Sequence, residues 1–101
     1  MTKPFNPVVH FEDRNEVNEI FADSIHGMIF DGQTMRIEFC VTRMDTPQPP
    51  NEPTARQIPV SRIVLPPNTA IDLYNRLQQI LQALEKEGKI TRNITPSQTV
   101  Q

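Results

Sequence analysis

An Asp31-Gly32 pair lies between two runs of alternating apolar residues, and it constrains the fold more than any other feature of the chain. Asp-Gly in that setting is a favoured two-residue hairpin loop in which both residues take positive φ. The turn predicts an antiparallel pair with Phe30 opposite Gln33, Met28 opposite Met35, His26 opposite Ile37, Ser24 opposite Phe39 and Ala22 opposite Val41. Side chains alternate along a strand. One face therefore collects Ile20, Ala22, Met28, Phe30, Met35, Ile37, Phe39 and Val41. The other carries Thr34, Arg36, Glu38, Cys40 and Thr42 from the second strand beside Phe21, Ile25 and Ile29 from the first.

A third strand is expected from Arg56 to Leu65, where β-branched residues dominate. Pro59 cannot donate to a ladder, so it points to an edge strand or a bulge, and Gly27 marks a bulge or a close backbone approach. Residues 45–55 contain Pro47, Pro49, Pro50 and Pro53 and are expected to form an extended, flexible loop. Pro66-Pro67 ends the third strand, and proline suits a first helical turn. Asn68 or Thr69 is the expected cap, with Asp72 completing an approximate capping box. Ala70, Leu73, Tyr74, Leu77, Ile80, Leu81 and Leu84 recur at helical spacing and make one wide apolar stripe. Gly88 is the expected stop, with Ile90 folding back onto the last turn.

The pattern is α+β: an antiparallel three-stranded sheet, made of a hairpin plus a third strand, followed by one long amphipathic helix. The chain divides into an N-terminal arm over 1–16, a single domain over 17–90 and a disordered tail over 91–101. With 101 residues it holds one domain, and a domain this small needs a partner, a metal or disulfides more often than a larger one. Cys40 is the only cysteine, so no internal disulfide forms. With His10 and His26 as the only histidines, a closed zinc site is not expected, and neither is a cofactor. Oligomerisation is the remaining support.

The start, Met1 to Pro7, has no apolar core segment and does not read as a signal peptide. No apolar run approaches the roughly 18 residues of a membrane span. A cytoplasmic protein without membrane contact is the expectation. The net charge of -2 gives no general attraction to nucleic acid or anionic lipid.

Four groups are candidates for chemistry, and each has a simpler structural reading. His26 is a possible acid/base or ligand, but the predicted register buries it on the core face opposite Ile37 with no carboxylate converging on it. Asp23 and Glu38 share a face near Arg36, which reads as a cross-strand charge network more readily than as an acid/base pair. Cys40 has no adjacent histidine in that register and reads as a small semi-buried side chain. Arg36, Arg43, Arg56 and Arg62 form a possible basic stripe, interleaved with Glu38 and Asp23. That stripe supports the alternative reading, a nucleic-acid-binding regulator. The glycines are too far apart for a phosphate loop, and no catalytic residue is assigned.

Ala22-Asp23-Ser24-Ile25, Met35 to Phe39, Val60 to Pro66 and the helix ending Gly88-Lys89-Ile90 resemble a family of short bacterial proteins of unknown function. The likeness spans about residues 20–90 and departs at Pro66-Pro67, where that family more often has Ser or Thr before a single proline. It implies strands followed by one long helix and supplies no activity. The order of elements also looks, more distantly, like the SecB-like export chaperones.

One helix is expected to cover one face of the sheet. That leaves Phe21, Ile25 and Ile29 uncovered on the other, and with Tyr74 these are the candidate interface residues. An apolar patch of several large side chains is rare on a monomer. The expectation is a homodimeric, non-catalytic module that binds a protein or peptide, a chaperone-like role being one version of it.

Overall fold

The computed structural model describes residues 6–91. It contains strands β1 (Ser24–Phe30), β2 (Met35–Met44) and β3 (Ala55–Leu65), followed by helix α1 (Pro67–Lys86). The strands form one antiparallel sheet in the order β1-β2-β3, so β2 is central and the other two are edges. This is the expected α+β architecture. The predicted tail lies outside the described residues from position 92 onward, as does the arm before position 6.

The first hairpin is two residues out of the predicted register. Phe30 pairs with Met35 and Met28 with Ile37, and Asp31 N–H donates to the Thr34 carbonyl at 3.1 Å, so the chain reverses over Gly32 and Gln33. The Asp31 side chain is the reason. Its Oδ1 accepts the backbone N–H groups of Gln33 at 2.9 Å and Thr34 at 2.7 Å. Its Oδ2 accepts the Thr34 hydroxyl at 2.8 Å and Arg36 Nε at 2.9 Å. A carboxylate accepting backbone N–H groups ahead of it mimics a backbone turn, here with Asp31 as its first residue. Only Gly32 takes positive φ there, at 100°. Because the displacement is an even number, the faces keep their composition next to the turn.

Farther from the turn a bulge changes that. The register shifts between Ile25 and Gly27, leaving His26 as the extra residue. Ile25 then lies opposite Phe39 and joins the apolar face, contrary to the expectation that it faces away. A second bulge follows in β3: Phe39 pairs with Ser61 but Cys40 pairs with Pro59, so Val60 is extra. Pro59 thus lies on an edge strand and beside a bulge, the two settings that tolerate a missing N–H.

The second hairpin ends in a clasp. Asp45 N–H donates to the Thr54 carbonyl at 3.0 Å. The Asp45 carboxylate accepts the Thr54 hydroxyl at 2.7 Å and Arg56 Nε at 2.9 Å. The proline-rich excursion beyond it is therefore tied at its base, while residues 46–54 remain exposed.

Helix α1 begins at Pro67 with Pro66 as its N-cap, and no side chain caps it, so neither Asn68 nor Thr69 takes the expected role. Pro67 has no N–H to satisfy, which lessens the need for a cap. Asp72 instead holds Arg76 Nε at 3.0 Å, one turn on. The helix stops as predicted. Gly88 adopts φ 75°, Lys89 N–H donates to the Leu84 carbonyl at 3.0 Å and Gly88 N–H to that of Glu85 at 3.1 Å. Those two bonds define a Schellman motif.

The packing differs most from expectation. The helix does not cover the sheet. Its buried residues are none, and the described core is Ile37, Val41 and Cys40, at 5%, 7% and 1% exposure, all on the central strand. Only Pro66, extended at φ -67° and ψ 159°, separates β3 from α1. The helix leaves from the sheet's end, and only its first turns reach the sheet, beside Phe30 and Met35. The Cα radius of gyration is 19.2 Å, against about 13 Å for a compact chain of this length.

Candidate functional site

The most informative surface is the apolar face that the helix leaves open. By the observed register, Ile25, Met28 and Phe30 from β1 line up there with Met35, Ile37 and Phe39 from β2 and Ile63 and Leu65 from β3. Ile25, Met28 and Phe30 are each more than half exposed. Residues preceding β1 skirt this face: Asn18, Ile20 and Ala22 line a groove of about 410 Å³ with Phe39, Ser61 and Ile63. At the end nearest the helix, Phe30 and Met35 form an apolar cleft of about 310 Å³ with Pro67, Ala70, Ile71 and Tyr74. Beyond that cleft the helical stripe runs on uncovered through Leu77 and Ile80.

The four predicted interface residues do not form one patch. Phe21, 74% exposed, precedes β1. Ile25, 51% exposed, sits on the apolar face, and Ile29, 65% exposed, lies opposite Arg36 on the other. Tyr74, 61% exposed, lines the cleft at the start of the helix. Sequence reasoning missed Met28, Phe30, Leu77 and Ile80 as exposed residues. Their alternation and helical spacing were plain, but they were assigned to a contact between helix and sheet that the chain does not make with itself.

The second face is mixed. His26, in the β1 bulge, is exposed on it and not buried opposite Ile37. Its Nδ1 lies 3.4 Å from Gln57 Oε1. That contact joins the two edge strands across β2 at the level of Cys40, the most buried side chain. Cys40 is a free thiol. Ser24 Oγ donates to the Cys40 carbonyl at 3.3 Å, and Asp23 N–H donates to the same oxygen at 3.0 Å.

Asp23 and Glu38 are not brought together. Asp23 Oδ1 accepts the Thr42 backbone N–H at 2.9 Å, while Glu38 Oε2 accepts Arg62 Nε at 2.6 Å across β2 and β3. A cross-strand ion pair therefore exists, but with Arg62 and not Arg36. Arg36 turns to Asp31 and Arg56 to Asp45, both at 2.9 Å. The Arg36 guanidinium, the Thr34 and Gln33 N–H groups and the Thr34 hydroxyl hold the Asp31 carboxyl well below the usual aspartate range. Of the four sheet arginines, Arg43 has instead a contact to the Thr42 carbonyl at 3.4 Å.

Among the described residues no group of three or more His, Cys, Asp or Glu side chains could hold a metal ion. No described helix is long and apolar enough to cross a membrane. Fold and surface together define an α+β sheet-and-helix chain whose apolar faces are largely uncovered by the described residues. No family model, curated protein or solved structure matches the chain.

Proposed function

We propose that this chain is a non-catalytic interaction module that self-associates through its apolar faces and, as a homodimer, binds a protein or peptide segment. The observation that carries the reading is the uncovered apolar surface on both the sheet and the helix, set against three buried hydrophobic side chains among the described residues. Surface of that kind marks an interaction site. Small domains without disulfides or metals gain stability by oligomerising. The same features fit a reduced, cytoplasmic setting, where a lone buried thiol such as Cys40 persists.

β1 offers the place for the peptide. It is an edge strand of seven residues, and its outer side has no neighbouring strand in the sheet. An extended segment can add there by main-chain hydrogen bonding. That mode tolerates many sequences, as the distant likeness to SecB-like chaperones also implies. The pairing of Arg36, Arg56 and Arg62 with carboxylates supports this reading over a nucleic-acid-binding regulator, because a paired arginine has less charge to offer phosphates.

Size-exclusion chromatography with light scattering tests the self-association: a dimer mass at micromolar concentration is expected, and a monomer overturns it. Titration with a labelled, permanently unfolded polypeptide tests the second half. Saturable binding that persists in high salt is expected. Binding only to oligonucleotide, with a steep salt dependence, would favour the regulator instead.

A further inference from the structure

The helix and the apolar sheet face are complementary, yet within one copy they meet only in the cleft at the start of the helix. We infer that α1 of one copy docks on the apolar sheet face of a second copy, and the reverse, in a two-fold helix exchange. This rests on the self-association proposed above and specifies its geometry.

Three observations support the exchange. First, within one copy the helix meets the sheet only at its start, where Pro67, Ala70, Ile71 and Tyr74 lie beside Phe30 and Met35, while Leu77 and Ile80 stay exposed. Second, the two surfaces match in chemistry, and the helical stripe is short enough to lie within the length of the sheet. The stripe from Ala70 to Leu84 spans about 21 Å at 1.5 Å per residue. β2, with 10 residues, spans about 33 Å at 3.3 Å per residue. Leu73, Tyr74, Leu77 and Ile80 on the helix and Ile25, Met28, Phe30 and Ile63 on the sheet are each between about two-fifths and three-fifths exposed. Third, the area suffices. Fully burying such a side chain removes roughly 60–120 Å² from water. The exposed portions then give on the order of 250–500 Å² of apolar area per copy, or about 400–800 Å² with the usual polar share. A standard interface buries about 800 Å² per partner.

An exchange is also self-closing. Each copy presents one helix and one sheet face, so two copies satisfy both surfaces and leave none to recruit a third.

Two single variants and their mixture test the geometry. Met28→Glu places a charge on the sheet face, and Leu77→Glu places one on the helical stripe. In an exchanged dimer each variant alone spoils both contacts, so each should raise the dimer dissociation constant by about 100-fold or more. Mixed together, the two variants form a heterodimer with one intact contact, and light scattering should show dimer return. If only Leu77→Glu dissociates, the copies meet helix to helix. If only Met28→Glu does, they meet sheet to sheet or through the N-terminal arm. Either result overturns the exchange while leaving self-association in place. A monomeric wild-type chain overturns both. Should the charged variants lose their circular dichroism, a milder pair decides the matter. Met28→Cys and Leu77→Cys, each in a Cys40→Ala background, should form a mixed disulfide when combined, and disulfides only between like variants refute the exchange.

Discussion

Dilution is the perturbation that bears most directly on this molecule. With Ile37, Val41 and Cys40 as its buried hydrophobic side chains, an isolated copy has little to hold it folded, so folding and association should be one transition. The size of the effect follows from chain length. Unfolding enthalpy near 60 °C is about 0.7 kcal/mol per residue, or about 65 kcal/mol for a chain of this size and about 130 kcal/mol for two. When a dimer melts directly to two unfolded chains, the midpoint falls by about RT² ln 10 divided by that enthalpy, which is about 4 °C for each tenfold dilution. Circular dichroism melts at several concentrations across two decades should therefore spread by about 8 °C. A midpoint that does not move with concentration would refute the reasoning, because a copy that melts independently does not need its partner's surface.

Three further outcomes follow from single residues. Ile37→Ala removes a side chain that is 5% exposed in the central strand and should cost about 2–5 kcal/mol in urea unfolding, as large-to-small core changes do. Gly88→Ala forces a Cβ onto a residue at φ 75° and should cost about 1 kcal/mol, with the loss confined to the last helical turn in hydrogen exchange. Asp31 supplies the pH dependence. Its folded pKa is depressed, so its contribution is fully present above the ordinary aspartate value and is lost as pH falls from about 4 toward the folded value. Asp31→Asn should lower the urea midpoint at neutral pH and flatten its decline below about pH 4, whereas an unchanged acid slope would contradict the role assigned to the loop.

Much of the fold was legible in the sequence. Asp31-Gly32 located the hairpin, Pro59 marked an edge and a bulge, Gly27 marked a second bulge and Gly88 the helix stop. The register was not legible, because composition does not reveal that the Asp31 carboxylate would accept two N–H groups ahead and move the turn onto Gly32 and Gln33. The bulge at His26 was indicated by its neighbour Gly27, but not its consequence, the turning of Ile25 onto the apolar face. The candidate surface was half legible. An unpartnered apolar patch was expected on the face away from the helix, where Ile29 and Val64 are exposed. Ile25, Met28 and Phe30 are exposed on the other face as well, because the helix leaves from the sheet's end and meets it only beside Phe30 and Met35.

The clasp around Asp45 has a practical consequence. Because Thr54 and Arg56 close the loop at its neck, the strands below it do not depend on what the excursion over 46–53 contains. Lengthening a loop already closed at its base adds only about 0.6 kcal/mol for each doubling. A fluorophore or short affinity tag spliced in at Asn51 should ride outside the sheet and report on assembly without entering it.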